Sequence, residues 1–256
     1  SPWATAGPAR CMRVCMPFIS ITSVTSALAK SSNLDTQVVI VRDLGHADYI
    51  RVWQDMRSFT DQRNASTRDE IWLVEHPPVY TLGTNDRNEP FDNPGIPVVK
   101  SDRGGQITYH GPGQLIAYVL IDLRRRGWGV KQLVTMLEQA VIDLLAARGL
   151  PALRCAGAPG VYVDGRKIAQ LGLRVRRGAS YHGLSFNVDM DHDPFRRIKP
   201  CGYAGLETTD LATLAGRAQA HMGDVKTGLL AGLLRNLEYT DRQESRGPDH
   251  ELATHS

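Results

Sequence analysis

The segment that most constrains this chain is residues 103–114, which reads Arg-Gly-Gly-Gln-Ile-Thr-Tyr-His-Gly-Pro-Gly-Gln. Four glycines and one proline fall within these twelve residues, between two segments with the pattern of strands. Glycine weakens a strand interior and is typical of places where the backbone closely approaches another group. A Gly/Pro-rich surface turn with solvated polar residues would give a similar pattern. The density of glycines and polar residues over this length favours a ligand site.

Composition limits the class of protein. A chain of 256 residues with 42% hydrophobic residues can bury a full core as one large domain or two small ones. The four cysteines, Cys11, Cys15, Cys155 and Cys201, lack metal-binding spacing, and so low a count suits a reducing compartment. We therefore expect no metal site. No apolar run approaches the roughly 18 residues of a membrane span, so we expect no membrane association.

The net charge of +3 is unevenly distributed. Residues 1–36 contribute three basic residues against one acidic residue, and the rest of the chain has 27 basic and 26 acidic residues. A body this close to neutral gives no reason to expect nucleic-acid binding. Basic residues cluster locally at 124–126, 174–177 and 196–199. These clusters are either solvated strand ends or a docking surface for an acidic partner.

The two ends of the chain differ from its middle. Residues 1–36 are rich in Ser, Thr and Ala and are acid-free until Asp35, which is compatible with an organelle transit peptide or with an over-extended translated start. We expect them to be a disordered extension. Residues 241–256 are polar and charged and predict a loose C-terminal tail. Residues 37–240 remain as the folded domain.

Strand and helix patterns alternate through that domain. Helical periodicity predicts helices over about 46–61, 130–148 and 224–237, the second with an apolar stripe that ends at Gly149. The dipeptide Asp164-Gly165 between two alternating runs predicts a hairpin. The other predicted strands are 38–41, 71–74, 79–82, 97–100, 115–123 and 184–190, the last with one buried face. This order favours a single mixed α/β domain with a largely antiparallel sheet flanked by helices.

Two further residues are candidates for chemistry. Lys167 follows the predicted hairpin turn, and strict alternation places it on the apolar face with Ala169 and Leu171, where desolvation would lower its pKa. A bulge after the turn would instead let the amine reach water. Cys201 lies in a loop flanked by Pro and Gly, which suits a nucleophile, but Cys155 lies in a similar loop. His110 and His182 are possible bases for either thiol.

Several separate motifs resemble the octanoyltransferases of lipoate biosynthesis, the lipoyl(octanoyl) transferase family. The likeness extends over roughly residues 38–240 and has no counterpart in residues 1–36. Its motifs stand in the order of the family. They are 71–76 (Ile-Trp-Leu-Val-Glu-His), the glycine-rich 103–114, 158–163 (Ala-Pro-Gly-Val-Tyr-Val), Lys167-Ile168 with 171–174, 182–184 with Asn187-Val188, and 200–205 (Pro-Cys-Gly-Tyr-Ala-Gly).

The resemblance implies specific roles for residues of this chain. The family's nucleophile matches Cys201 and its essential lysine matches Lys167, whereas Cys155 matches no family requirement. The resemblance also implies a fold like the catalytic domain of biotin and lipoate protein ligases. The implied acyl-substrate contacts are Arg103, Gly104, Gly105, Gln106, Ile107, Thr108, Tyr109, His110, Gln170, Leu171, Gly172, Gly183, Leu184 and Ser185.

The implied reaction moves an octanoyl group from octanoyl-acyl carrier protein to a lysine of a lipoyl domain, through a thioester on the enzyme and without a cofactor. The implied acceptors are lipoyl domains of 2-oxoacid dehydrogenase complexes and the glycine cleavage H protein. The implied location is the bacterial cytoplasm, or the mitochondrion if residues 1–36 are a transit peptide. An ATP-dependent lipoate or biotin protein ligase of the same fold is the alternative enzyme, and a non-catalytic lipoyl-domain-binding protein is the alternative of another class.

Overall fold

A computed structural model describes residues 37–87, 90–198 and 207–246. Most of the strands in these ranges form one mixed sheet. They are β1 (Val38–His46), β2 (Asp69–Glu75), β6 (Gln114–Leu120), β7 (Leu153–Cys155), β8 (Ala158–Val163), β9 (Arg166–Arg176), β10 (Ala179–Asn187) and β11 (Asp241–Arg246). A smaller sheet contains β3 (Val79–Leu82), β4 (Val98–Lys100) and β5 (Thr108–His110).

Helices cover both faces of the larger sheet. They are α1 (Tyr49–Gln62), α2 (Leu123–Arg126), α3 (Val130–Ala146), α4 (Asp193–Arg196), α5 (Leu211–Ala215) and α6 (Met222–Asn236), and a 3₁₀ turn spans Arg217–Gln219. In this described part of the chain, none of the helices is long and apolar enough to cross a bilayer.

The larger sheet has the strand order β11-β1-β2-β6-β10-β9-β8-β7. The pairs β11-β1 and β1-β2 are parallel, and every other pair along the sheet is antiparallel. The smaller sheet has the order β4-β3-β5. The mixed α/β class with a largely antiparallel sheet, as predicted from the order of elements, is therefore confirmed.

The central strand β6 shows why this sheet is covered on both sides. Its alternate residues Leu115, Ala117 and Val119 belong to the large core that α3 and α6 close. The residues between them, including Ile116 and Tyr118, pack on the opposite face against Val52 and Met56 of α1. A strand buried on both faces has a continuous apolar run of residues, as residues 115–120 do.

Two element boundaries differ from the predictions for local reasons. Helix α1 begins at Tyr49 rather than residue 46, because the Asp48 side chain caps it by accepting from the amide of Arg51 at 3.0 Å. The predicted strand 115–123 ends at Leu120. Asp122 then caps the short helix α2, which ends at Gly127 in the left-handed conformation.

Strand β10 differs in its burial. Alternation with polar residues predicts one solvated face, but every residue from Ala179 to Asn187 is buried. The polar side chains are satisfied inside the protein: Ser185 Oγ donates to Gln170 Oε1 at 2.8 Å, and Asn187 Nδ2 donates to the Thr209 carbonyl at 2.9 Å. The polar face of β10 therefore turns toward an internal site rather than toward bulk water.

The C-terminal segment also contributes to the sheet. The first six residues of the predicted polar tail form β11, which pairs in parallel with β1. The carbonyl of Gln37 accepts from the amides of Thr240 and Asp241, so the start of β1 and the start of β11 are joined. Backbone pairing accounts for a strand here although residues 241–244 are polar and exposed.

Candidate active site

A cleft of about 340 Å³ opens between the glycine-rich loop and the strands β9 and β10. Its wall combines residues from the glycine loop, from β9 and β10, from α1 and from the start of α3. Of the sixteen residues that the family resemblance assigns to the site, fourteen lie along it. They are Arg103, Gly104, Gly105, Gln106, Ile107, Thr108, His110, Lys167, Gln170, Leu171, Gly172, Gly183, Leu184 and Ser185.

The glycine loop is fastened to β9 and to the turn after β3. The amide of Gly104 donates to the Leu173 carbonyl at 2.9 Å, and the amide of Asn85 donates to the Gly105 carbonyl at 3.0 Å. Gly105 has a φ of +88°, and a Cβ at Gly172 would lie 3.1 Å from the Gly104 carbonyl oxygen. The close backbone approach predicted from the glycines is therefore present.

Arg103 stabilises this loop through hydrogen bonds from its side chain. Its buried guanidinium donates to the Thr81 hydroxyl at 3.0 Å, the Thr81 carbonyl, the Gly104 carbonyl at 3.0 Å and the Gln106 carbonyl at 2.7 Å. A planar fork of donors suits several carbonyls at once. Arg103 thus shapes the cleft wall by fixing the backbone of the residues that follow it.

Lys167 lies in the cleft because of a β-bulge. Val161 pairs with Ala169 and Tyr162 pairs with Lys167, so Ile168 is an extra residue in β9. Strict alternation would have placed Lys167 on the core face, and the alternative was an amine that reaches water. The structure combines the two: the bulge turns Lys167 away from Ala169, yet only 3% of the residue is exposed.

The amine of Lys167 has defined neighbours. Nζ donates to the carbonyl oxygen of Pro159 at 3.2 Å and lies 5.2 Å from the centre of the Tyr162 ring. The backbone of Lys167 is held as well, because its amide donates to Glu207 at 2.9 Å and its carbonyl accepts from Thr209 at 3.0 Å. The backbone of Lys167 is therefore hydrogen-bonded to residues 207 and 209, where the described chain resumes after residue 198.

Tyr49 and His110 form another part of the wall, and His76 contacts both. The rings of Tyr49 and His110 stack with their centres 5.8 Å apart, and His76 packs edge-on against both. Burial lowers the pKa of His110 to about 3, and the neighbouring His76 adds to this effect. Burial likewise lowers the pKa of His76 to about 4. Both rings are neutral near pH 7, and His110 is a weak base for a thiol.

Asp102 anchors the other histidine of interest. Its carboxylate accepts from Trp53 Nε1 at 2.7 Å, from the Tyr181 hydroxyl and from His182 Nε2 at 2.9 Å. Burial raises the pKa of Asp102, but hydrogen bonds from His182, Tyr181 and Trp53 outweigh it and hold the pKa well below its usual range. His182 is also buried, and burial lowers its pKa even though Asp102 opposes the shift. The Nε2 atom of His182 is therefore occupied by its hydrogen bond to Asp102.

Two buried polar atoms of the cleft wall have no hydrogen-bond partner among the described residues. They are Gln170 Nε2 and Thr108 Oγ1. The orientation of the Gln170 amide is set by the Ser185 hydroxyl, which donates to its Oε1 at 2.8 Å. A buried donor without a partner costs free energy, so such groups in a cleft are suited to receive a substrate oxygen.

The two remaining predicted residues are Tyr109 and Cys201. Tyr109 is buried but outside the cleft wall, where its ring packs 5.6 Å from those of Tyr80 and Phe195. Cys201 lies outside the described residues. Cys155 is disulfide-bonded, and the other three cysteines, Cys11, Cys15 and Cys201, lie outside the described residues. In the described ranges, no three His, Cys, Asp or Glu side chains come together as a potential metal site.

Sequence reasoning missed several wall residues. Tyr49, Tyr118, Pro159 and Thr208 line the cleft. Tyr118 stands within an apolar run and reads as core, while Tyr49 stands in no motif. Pro159 falls within the Ala-Pro-Gly segment of the resemblance, which was the available signal.

Two of the basic clusters have different roles in the structure. Arg125 Nη2 lies 2.7 Å from the buried carboxylate of Asp69, and the guanidinium of Arg126 stacks over the rings of Trp128 and Tyr239 at 4.3 and 4.5 Å. These two arginines stabilise the fold. Arg174 is exposed on β9, and Arg176, which is partly buried, lies 2.8 Å from Asp61.

Comparison with known proteins supports a specific family. The family model described as the lipoyl protein ligase A/B catalytic domain matches residues 48–234. An octanoyltransferase of Pseudomonas entomophila is 54% identical over 211 residues, which cover 82% of this chain and 97% of that protein. An octanoyltransferase of Aromatoleum aromaticum is 64% identical over 174 residues, which cover 68% of this chain and 75% of that protein.

Solved structures agree at the level of the fold. A putative lipoate protein ligase from T. acidophilum with bound lipoic acid superposes with a TM-score of 0.67 at 16% identity, covering 82% of this chain and 90% of that one. A lipoate-protein ligase A bound with ATP gives a TM-score of 0.66 at 14% identity, covering 82% and 89%. The chain therefore belongs to the octanoyltransferases of the lipoyl protein ligase A/B catalytic-domain family, and it is an acyltransferase.

Proposed function

We propose that this enzyme takes the octanoyl group from octanoyl-acyl carrier protein, holds it as a thioester on Cys201, and passes it to a lysine of a lipoyl domain. The observation that carries the proposal is the amine of Lys167, buried in the cleft wall on a strand that also holds residues 207–209. Cys201 belongs to the segment between Ile198 and Glu207. The described chain on both sides of that segment borders the cleft, at Phe195 and at Thr208.

In the first half-reaction, neutral Lys167 takes the proton from the Cys201 thiol, and the thiolate attacks the thioester carbonyl. The bond to the carrier's sulfur breaks, and the departing thiolate receives the proton from the Lys167 ammonium. Exchange between two thioesters is nearly balanced in free energy, so no ATP is required. Deprotonation activates the sulfur, because the thiolate is the nucleophilic form of cysteine.

In the second half-reaction, the neutral amine of the acceptor lysine attacks the acyl-Cys201 carbonyl. Lys167 takes the proton from the attacking nitrogen, and the C–S bond breaks to release the Cys201 thiolate. His110 and His182 are unsuited to this role, because both are buried with lowered pKa values and His182 is bound to Asp102. Of the three described residues considered as bases, His110, His182 and Lys167, we therefore assign the role to Lys167.

The cleft wall supplies groups for the acyl chain and for its carbonyl. The donor Gln170 Nε2 and the hydroxyl of Thr108 have no partner among the described residues and can meet the carbonyl oxygen as negative charge develops on it. Apolar wall residues such as Leu171 and Leu184 can cover the alkyl tail, at roughly 0.8 kcal/mol for each buried methylene.

The proposal extends to the partners and to the place of the reaction. The exposed Arg174 and the partly exposed Arg176 can attract an acidic carrier protein. The acceptors we propose are lipoyl domains of 2-oxoacid dehydrogenase complexes and the glycine cleavage H protein. The relatives named above are bacterial, so we propose the bacterial cytoplasm as the location.

Mass spectrometry of the enzyme after exposure to octanoyl-acyl carrier protein tests the proposal. We expect an adduct of about 126 Da on the peptide that contains Cys201, which a lipoyl domain then removes. The reaction should proceed without ATP. Transfer that requires ATP and free octanoate, with no adduct on the enzyme, would instead support a ligase. Binding of lipoyl domains without any transfer would support a non-catalytic binding protein.

A further inference from the structure

The peptide group between Pro159 and Gly160 is hydrogen-bonded to Lys167 at one end and to the buried carboxylate of Glu138 at the other. The carbonyl oxygen of Pro159 accepts from Lys167 Nζ at 3.2 Å, and the amide of Gly160 donates to Glu138 Oε1 at 2.9 Å. This oxygen and this amide belong to the same planar peptide unit between Pro159 and Gly160. The Glu138 carboxylate therefore binds the N–H of this rigid peptide unit, and the Lys167 amine binds its carbonyl oxygen.

Glu138 is an unexpected residue at its position. It lies on α3 between core residues Leu137 and Val141, and only 5% of it is exposed. A buried carboxylate is costly unless it is paired and hydrogen-bonded. Its second oxygen lies 3.1 Å from Nε of Arg154, which reaches in from β7. An apolar residue would be sufficient for packing at this position, so the contacts of the carboxylate with Gly160 and Arg154 are what distinguish Glu138.

The geometry around Gly160 leaves the peptide little freedom. Gly160 has a φ of +142°, and a Cβ there would lie 2.7 Å from the Ala169 carbonyl oxygen and 3.0 Å from Cε of Lys167. The absence of a side chain lets the lysine stem pack directly on the backbone. The plane of the peptide, and with it the direction of the Pro159 carbonyl, is then set by the bond to Glu138.

We propose that Glu138 is a positioning residue for Lys167, acting through the Pro159–Gly160 peptide. A carboxylate that accepts from the amide draws the peptide dipole into line and strengthens the carbonyl oxygen as an acceptor for the amine. It also places a negative charge one peptide away from the ammonium that each half-reaction forms. This inference rests on the proposed role of Lys167 as the base.

Variants of Glu138 separate positioning from packing. Glu138→Gln keeps an oxygen that can accept from Gly160, whereas Glu138→Leu keeps the volume and removes the acceptor. We expect Glu138→Leu to lower kcat for octanoyl transfer about a hundredfold, with KM for a small octanoyl thioester nearly unchanged, because the base is misplaced. Glu138→Gln should restore most of that loss and retain a measurable deficit in kcat of about fivefold.

The matched control is Asp143→Asn, on the same helix. Asp143 binds Arg235 and Asn236 of α6 and does not touch the Pro159–Gly160 peptide. This variant should lower the Tm without lowering kcat. A second readout is the pH dependence of Cys201 alkylation, measured in wild type, Lys167→Ala and Glu138→Leu. We expect the curve of Glu138→Leu to move toward that of Lys167→Ala.

The outcomes distinguish this inference from the proposed function. If Lys167→Ala changes the alkylation curve while Glu138→Leu folds and matches wild type in kcat and alkylation, the positioning role is overturned and the base is retained. If Lys167→Ala matches wild type, the role of Lys167 fails and that of Glu138 fails with it. If Glu138→Leu does not fold, the test rests on Glu138→Gln. This variant should fold and show the smaller loss of kcat with KM unchanged. A wild-type kcat in Glu138→Gln would overturn the positioning role.

Discussion

The backbone amide of Lys167 donates a hydrogen bond of 2.9 Å to the carbonyl oxygen of Glu207, so the strand that carries the buried amine also holds the chain that follows Cys201. The isolated bridge between Lys167 and Thr208 continues this contact. The residue that we propose as the proton acceptor is thus joined through its backbone to residues 207 and 209, which follow the proposed nucleophile in the chain. The predictions below follow from this arrangement and from the cleft around it.

Replacing Lys167 with Ala should slow acylation of the enzyme steeply near neutral pH, because proton removal from Cys201 is lost. Raising the pH should recover part of the first half-reaction as the thiol ionises near its ordinary pKa of roughly 8.5. Lys167→Arg should not substitute, since a guanidinium stays protonated. The measurement is the rate of Cys201 alkylation against pH, where wild type should form the thiolate at lower pH. Superimposable curves would end the proposal of a Cys–Lys pair.

Replacing Cys201 with Ser should abolish turnover, whereas Cys155→Ser should leave most of it. Cys155 is disulfide-bonded, so both variants and wild type are assayed under a thiol reductant. The readouts are octanoyl transfer to a lipoyl domain and the acyl adduct by mass spectrometry. An inactive Cys155→Ser beside an active Cys201→Ser would reverse the assignment.

Replacing Arg103 with Lys should impair the glycine loop without removing the positive charge. The lysine cannot reproduce four donations to Thr81, Gly104 and Gln106. We expect KM for an octanoyl thioester to rise about tenfold, since the glycine loop loses buried hydrogen bonds that fix its backbone. Steady-state kinetics with Arg51→Lys, an exposed position on α1, provide the control. Equal KM values in both variants would show that the fork is dispensable.

Replacing Arg174 and Arg176 with Ala should raise KM for the carrier thioester far more than KM for a small octanoyl thioester. Wild-type KM for the carrier should also climb with salt, because exposed charges are screened over about 10 Å at 0.1 M. Arg125→Gln should instead lower the Tm, since it breaks a contact with buried Asp69. Equal effects of the Arg174 and Arg176 changes on both donors would exclude a docking role.

The free energy of unfolding should fall between pH 6.5 and about pH 4 because of His76. Burial lowers its pKa from 6.5 to about 4, so the unfolded chain binds more protons in this window. The stabilisation is complete above pH 6.5 and is lost as the pH falls, by on the order of 3 kcal/mol. His76→Gln should reduce this slope in urea titrations at several pH values, and His221→Gln, at an exposed position, should not. Equal slopes in all three proteins would contradict the prediction.

Local patterns in the sequence were sufficient for the main elements of the fold. The apolar stripe of 130–148 predicts α3, and the Asp164-Gly165 dipeptide predicts the hairpin between β8 and β9, where both residues have positive φ. The glycine-rich segment 103–114 predicts a ligand site, and the structure shows the close backbone approach that its glycines allow. These signals succeed because periodicity and turn chemistry act within a few residues.

The direction of Lys167 and the setting of its amine were decided only by the tertiary structure. The extra residue Ile168 belongs to a bulge defined by pairing with β8, and alternation within β9 cannot reveal it. The buried polar face of β10 and the contact between Glu138 and Gly160, twenty-two residues apart, likewise depend on which strands and helices meet. The sequence by itself determined the main helices and strands and the residues to which we propose to assign the family's chemistry. Their register and facing contacts required the packed fold, because cross-strand pairing and helix docking join groups that no local pattern relates.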